Sequence, residues 1–378
     1  MKSFLNKVFS LLTRFFPVSK KIWVFNSYPD FTDNPFGFFY KVLPKCSDVH
    51  FVWLVSDKSR INEIKNQCSQ KNVSVYYKHS FPGLWYFLRA GFLFVSHGIF
   101  EQYRADKSAK IVVALWHGMP LKRICWMESS TTWVTYADYV VATSELFQKI
   151  MSQSFRLDCQ HVLIVGQPRN DLLFEKTDFF EKQNINQKQY TKIGIWLPTY
   201  RYSVIQQRTD GAFRNGRLLF LTMDDLKKLN DFLLKVNQLL IVKLHPMDYL
   251  QQVELPNFTH LRILKQKDLN CQLYPLLGNC DYLLSDFSSV WLDYEILGKP
   301  IGFVCDDFEE YEKGRGFTVP NLMETLPGPI IQNLEELKYF ISHLPQNKKI
   351  VPSMFNRYKD CFSSERLLSL LRDPSFSK

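Results

Sequence analysis

The chain has 378 residues, 46% hydrophobic and 22% charged, and 47 Lys+Arg against 37 Asp+Glu give it a formal net charge of +10. At about 100–200 residues per domain this length predicts two domains, and the composition excludes disordered, collagen-like and small disulfide-stapled chains. The basic excess points to an anionic partner: nucleic acid, an anionic lipid surface or a phosphorylated substrate.

Residues 1–21 read MKSFLNKVFSLLTRFFPVSKK and hold Lys2, Lys7, Arg14, Lys20 and Lys21 with no acid. Polar residues recur there at helical spacing against Phe, Leu and Val, so the stretch is expected to form a short amphipathic helix ended by Pro17. It is too short to span a bilayer, which takes about 20 apolar residues. Arg14 and the lack of a small-residue cleavage site argue against a signal peptide. The expectation is a leader lying on an anionic membrane surface, at the cytoplasmic face and peripheral. The alternative is an ordinary terminal helix packed on the protein.

Short apolar runs then alternate with helix-like segments. Strands are expected at 21–27, 50–56, 73–77, 91–96, 110–116, 139–143 and 161–165, with helices at 34–43, 59–70 and 81–89. Residues 176–192 are polar and Gln/Asn-rich and read as an interdomain linker. The pattern restarts with strands at 193–197, 238–244, 260–264, 282–285 and 299–305, and helices at 223–237 and 288–297. A last helix is expected from Ser363 or Ser364, with a Ser cap and Glu365 in its first turn. Such alternation predicts parallel sheets covered on both faces. The domain expectation is therefore a leader at 1–21, a doubly wound α/β domain at 22–185, a second at 193–362 and a C-terminal helix at 363–378 that packs back on the first domain.

The eight cysteines form no CxxC pair, and no Cys/His cluster has zinc-ligand spacing, so reduced thiols and no metal site are expected. Neither GxGxxG nor a Walker A motif occurs. In WHGMPLKR the expected strand 110–116 runs into His117 and Gly118, then Lys122 and Arg123. The end of a strand is where a doubly wound domain presents its ligands, and histidine is suited to take a proton near pH 7. In VKLHP a second strand ends on Lys243 and His245, which alternation puts on one face. Either histidine could instead be a satisfied structural residue. In LSDFSSVWLD, Asp286, Ser288 and Ser289 lead into a helix that also carries Asp293. The first-turn N–H groups of such a helix can bind phosphate, and a simple capping role is the plainer reading. Thr199 and Arg201 supply a hydroxyl and a guanidinium for phosphate oxygens. Arg315, between two glycines, is either a close-approach cation or a solvated loop residue. Together these sites suggest a substrate with at least two phosphates held by two α/β domains.

The same segments resemble the CDP-glycerol glycerophosphotransferases, the teichoic-acid primase and polymerase enzymes. WHGMPLKRI, GQPRNDLL, PTYR, KLHP and SDFSSVWLDYEILGKPI follow the family's order, and SYPDFTDNP, LPGPI and SSER match as well. Met119 and Gln167 depart from the family's usual Thr and aromatic residue. The resemblance implies a GT-B-like α/β fold, two Rossmann-like doubly wound domains facing a central cleft, with 22–185 the acceptor-side domain and 193–362 the donor-binding one. It implies transfer of a polyol phosphate, usually glycerol phosphate, from CDP-glycerol or CDP-ribitol to a hydroxyl of a lipid-linked glycan or growing polymer, with release of CMP. His117 would be the general base and His245 a second catalytic histidine. Thr199, Arg201, Lys243, Asp286, Ser288, Ser289 and Arg315 would bind donor phosphates. Gly118, Lys122, Arg123 and Asp293 would position the acceptor. No cofactor is implied, although Mg2+ could accompany the donor. A nucleotide-sugar glycosyltransferase of capsule or lipopolysaccharide synthesis is the alternative, and no nucleic-acid partner is expected.

Overall fold

The computed structural model describes residue 11 and residues 15–68, 70–100, 110–128, 131, 134–200, 202–203, 208–209, 217–269, 271–309, 312, 316–344 and 353–376. The amphipathic helix expected in the leader lies almost entirely outside them. In chain order the elements are β1 (Ser19–Asn26), α1 (Asp33–Val42), β2 (His50–Val55), α2 (Ile61–Gln67), β3 (Val73–Tyr77), α3 (Phe81–Arg89), β4 (Ala90–Val95), β5 (Ile111–Ala114), β6 (Tyr139–Ala142), α4 (Glu145–Phe155) and β7 (Val162–Ile164). There follow α5 (Phe179–Lys182), β8 (Lys192–Trp196), β9 (Tyr202–Ser203), β10 (Arg208–Thr209), α6 (Met223–Lys235), β11 (Gln238–Lys243), β12 (Leu261–Leu264), α7 (Leu273–Asn279), β13 (Tyr282–Ser285), α8 (Val290–Tyr294), β14 (Ile301–Val304), β15 (Ile330–Ile331), α9 (Leu334–Ser342) and α10 (Ser363–Arg372).

The chain divides into two compact units. One comprises Met1–Met119, Ile124–Leu172 and Ser353–Lys378, the other Pro120–Arg123 and Leu173–Pro352. The first contains a seven-stranded sheet of order β3-β2-β1-β4-β5-β6-β7, parallel throughout. The second contains a six-stranded parallel sheet of order β12-β11-β8-β13-β14-β15. Both are doubly wound, so each reverses its strand order once, between β1 and β4 and between β8 and β13. Ligands of such sheets bind outside the carboxyl ends of the strands at that reversal.

The strands were legible as unbroken apolar runs because both faces of each sheet are covered. Every residue of β4 is buried, and β2 is buried from Phe51 onward. In the first unit aromatic rings fill the space between sheet and helices. Trp23, Phe25, Phe38, Phe39, Phe51, Trp53 and Phe94 pack ring on ring, with Phe25 and Phe94 centroids 5.0 Å apart. Each such side chain, fully buried, stabilises the fold by about 1.5–3 kcal/mol. The second core joins Trp196, Leu229, Leu240, Val242, Tyr282 and Leu284. The polar segment 176–192 lies within the second unit, anchored there by buried Phe179 and Phe180.

α10 starts at Ser363, as expected, but neither serine caps it. The carboxylate of Asp171 accepts the N–H groups of Ser363 (2.9 Å) and Ser364 (2.8 Å). A side chain 192 residues away thus satisfies two donors of the first turn. Arg366 adds a hydrogen bond to the Val165 carbonyl and a fork onto Asp360. These bonds give the GQPRND and SSER segments a shared structural role inside the first unit.

Candidate active site

In the first unit β5 ends and the chain turns sharply through Trp116 (φ 55°) and Gly118 (φ 131°), which brackets His117 between two left-handed residues. Only glycine adopts the second conformation without strain, which accounts for the His-Gly pair. Asn34, buried at the start of α1, clamps this turn. Its amide donates to the carbonyls of Leu115 (3.0 Å) and Trp116 (3.1 Å) and to Gln167 Oε1 (3.3 Å), while its Oδ1 accepts the Arg169 N–H (3.0 Å). Asp33 holds Arg169 through Oδ1 at 2.7 Å, with side chains only 16% and 7% exposed. Such a pair is retained for geometry as much as for stability, because burying two charges costs nearly what their attraction returns.

His117 is half-buried. Its Nδ1 lies 3.3 Å from the Ser96 carbonyl. A carbonyl can only accept, so this contact places the proton on Nδ1 and leaves Nε2 as the basic nitrogen. Burial first, and neighbouring His97 second, push the imidazole down to about 4, while Asp33 pulls it the other way. At neutral pH His117 is therefore uncharged and able to accept a proton.

In the second unit the ends of β8, β11 and β13 converge. Asp286 is buried and accepts hydrogen bonds from the Thr199 N–H (3.0 Å), the Thr199 hydroxyl (2.8 Å) and the Ser288 N–H (3.3 Å). It ties the two loops flanking the sheet's reversal point. A carboxylate so engaged fixes donors around it; it does not itself hold a phosphate. Ser288 Oγ accepts the Val290 N–H at 3.4 Å, and Ser289 precedes α8 with no side-chain cap. Tyr200 lies against His245, ring centroids 4.8 Å apart, so the loop after β8 reaches the end of β11. His245 Nδ1 accepts the Met247 N–H at 3.2 Å, which leaves its remaining proton on Nε2. The two candidate catalytic histidines thus carry opposite tautomers, one an acceptor at Nε2 and one a donor.

Lys243, at the end of β11, is held down to about 8 by burial. Its charge is present below that value and lost above it. If it contacts an anionic donor, donor KM should rise as pH passes about 8, while a lysine with its ordinary pKa, about 10.4, would leave KM flat to beyond pH 9. A KM series between pH 7 and 9.5 on wild type and Lys243→Arg decides this, since arginine stays charged.

The other expected residues are placed as follows. Lys122 pairs with Phe317 in an isolated antiparallel bridge, the Thr318 N–H donates to the Leu121 carbonyl (2.9 Å), and a Cβ on Gly316 would meet Arg123. Residues 120–123 are thus pinned to the second unit. Asp293 is fully buried and accepts the Tyr274 hydroxyl at 2.6 Å, so its carboxylate points into the core. Arg201 and Arg315 lie outside the described residues. Among the described residues no group of three or more His, Cys, Asp or Glu could hold a metal ion, and all eight cysteines are free thiols. Sequence reasoning gave no individual role to His97, Asp33, Asn34 or Arg169. The signal for His97 was present: Ser-His-Gly closes β4 as Trp-His-Gly closes β5.

A family model described as CDP-glycerol:poly(glycerophosphate) glycerophosphotransferase matches residues 8–372. The chain belongs to this family. It is 26% identical over 378 residues to the teichoic acid poly(glycerol phosphate) polymerase of Staphylococcus epidermidis, covering 90% of this chain and 48% of that protein. Over 252 residues it is 28% identical to the teichoic acid glycerol-phosphate primase of Bacillus subtilis, covering 62% of this chain and 58% of the relative. The chain therefore spans about half the length of the curated relatives it matches. The wall teichoic acid polymerase TagF superposes with a TM-score of 0.75 at 21% identity, covering 97% of this chain and 92% of that one. A variant of TagF has been soaked with CDPG. That likeness shows the fold, which is GT-B-like.

Proposed function

We propose that this family member transfers a polyol phosphate, glycerol phosphate first among the candidates, from its CDP derivative to a hydroxyl of a lipid-linked glycan or growing polymer. The acceptor oxygen attacks the phosphorus next to the polyol. His117 Nε2 takes the hydroxyl proton, the bond to the cytidylyl phosphate breaks, and CMP leaves with the bonding electron pair. His245 donates through Nε2–H to the donor's phosphates, with Lys243 adding charge. Thr199, Asp286, Ser288 and Ser289 shape the loops around them, and Arg201 and Arg315 are further candidates for the same phosphates. Gly118 sets the turn at the base, and Lys122 and Arg123 supply cationic charge on the acceptor side. No step calls on a metal; Mg2+ could accompany the diphosphate.

The observation that carries this reading is the pair of opposed Nδ1 contacts, His117 on the Ser96 carbonyl and His245 on the Met247 N–H. A histidine whose Nδ1 is tied to a carbonyl is set up as a base, and one whose Nδ1 is tied to an N–H is set up as a donor. Incubation with CDP-glycerol, CDP-ribitol and nucleotide sugars, each with candidate acceptors, tests it by mass spectrometry. CMP release from a CDP-polyol supports the reading; consumption of a nucleotide sugar alone rejects it.

We place the protein at a membrane surface through residues 1–21. Five cations without an acid in that stretch support this, as do Phe15 and Phe81, 75% and 80% exposed. No helix among the described residues is long and apolar enough to cross a membrane. Removal of residues 1–18 should abolish co-sedimentation with anionic phosphatidylglycerol vesicles; unchanged sedimentation would contradict the placement.

A further inference from the structure

Two neighbouring parallel strands of the first sheet, β4 and β5, each lead into a loop that carries a histidine followed by a glycine with positive φ. Gly98 has φ 93°, and a Cβ there would meet the Thr135 side chain at 2.4 Å. The two turns bring His97 and His117 face to face, with ring centroids 3.9 Å apart and planes 2° from parallel. Ser96 serves both rings. Its carbonyl faces His117 Nδ1 at 3.3 Å, and its hydroxyl lies 2.9 Å from His97 Nδ1. That hydroxyl also accepts the Tyr28 N–H at 3.1 Å. With one lone pair so engaged, the hydroxyl is free to turn its own proton to His97 Nδ1, the arrangement in which neutral His97 carries its proton on Nε2. His97 is exposed where His117 is half-buried, so its Nε2 edge is open to a ligand.

Two imidazolium rings 3.9 Å apart would repel strongly. The groups facing the pair are Asp33, which favours a charge, Arg169, which opposes one and is itself bound to Asp33, and the Tyr28 and Trp116 rings. The surroundings leave room for one positive charge.

We propose that His97 is a substrate-positioning residue which donates through Nε2–H to an oxygen of the acceptor, while the stacked rings hold at most one added proton, so that His117 enters the reaction as the neutral base. This rests on the reading of His117 as base. On acidification the exposed ring of His97 takes the shared proton first. The pair offers one acceptor nitrogen and one donor side by side, which suits an acceptor with adjacent oxygens such as a polyol phosphate.

Long-range 15N–1H NMR of the full chain tests the pairing without any assay. Neutral His117 should carry its proton on Nδ1 and neutral His97 on Nε2, and a single ring, that of His97, should charge first as pH falls below the ordinary histidine value of about 6.5, because burial holds His97 below it. Identical tautomers, or both rings charging together near that value, would overturn the pairing. Kinetics with CDP-glycerol as donor and glycerol 3-phosphate as acceptor probe test the substrate contact. His97→Phe keeps the stack and removes the donor. It should raise acceptor KM roughly tenfold, the effect of one hydrogen bond, leave CDP-glycerol KM unchanged and move the acid limb of kcat/KM to higher pH. His97→Gln should restore acceptor KM but not the acid limb. Unmoved acceptor KM and acid limb in His97→Phe would show a packing role and reject the proposal. Absence of CDP-polyol turnover in the wild type would instead remove the functional reading, and the NMR result would still decide whether the pair exists.

Discussion

His117→Ala is expected to lower kcat by roughly 100- to 10,000-fold while leaving CDP-glycerol KM within a few-fold of wild type, because general-base catalysis contributes on that scale. The structure gives the expectation a pH signature. Burial and His97 hold His117 down to about 4, so the wild-type kcat/KM profile should stay level on its acid side until pH approaches that value. A histidine with its ordinary pKa would already halve activity near pH 6.5. The sign follows from the base being the neutral form, which protonation removes. Steady-state kinetics from pH 4 to 8 reads both effects. A limb near 6.5, or an alanine variant with wild-type kcat, would show that another group takes the proton.

His245→Ala is expected to lower kcat by roughly 100- to 1,000-fold and to weaken CDP-glycerol binding, the scale found when one donor to a developing anion is removed. His245 presents Nε2–H because its Nδ1 accepts the Met247 N–H. A glutamine, whose amide reaches about as far and donates, should recover part of the loss, whereas asparagine is too short. The alanine variant also removes the ring contact with Tyr200, so circular dichroism and thermal unfolding should accompany the kinetics. Equal losses in the glutamine and alanine variants would point to a charge or packing role in place of donation.

Strands and their grouping into two parallel sheets were legible because a sheet covered on both faces needs unbroken apolar runs, such as FVWLV and AGFLFV. Elements without such runs were not. β15 is two residues long, and the hairpin β9–β10 pairs only two residues a side. The helix expected over 288–297 is α-helical only at Val290–Tyr294 and then tightens into a 3-10 turn closed by Gly298. The two histidines were legible because each closes an apolar run whose strand ends a few residues earlier, at Ala114 and at Lys243. Their surroundings were not, since the contacts that shape them join distant parts of the chain. Asn34 reaches Leu115 across 81 residues and Arg169 reaches Asp33 across 136. The segments SYPDFTDNP and GQPRND stood out only as resemblance. Folded, they form the clamp that fixes the turn carrying His117. The cap of α10 is a similar case: the local serines fit a capping rule, but Asp171 fills that place from elsewhere in the unit.

The central claim is that a CDP-polyol is the donor and that its diphosphate is cleaved next to the polyol. Incubating the full chain with CDP-glycerol labelled with 18O on the bridging diphosphate oxygen, in the presence of acceptor, follows that bond by mass spectrometry. The account predicts CMP that retains the label and a product heavier than the acceptor by one glycerol phosphate, both lost in His117→Ala. Label found in the product, or turnover of a nucleotide sugar with no CMP from CDP-glycerol or CDP-ribitol, would contradict it.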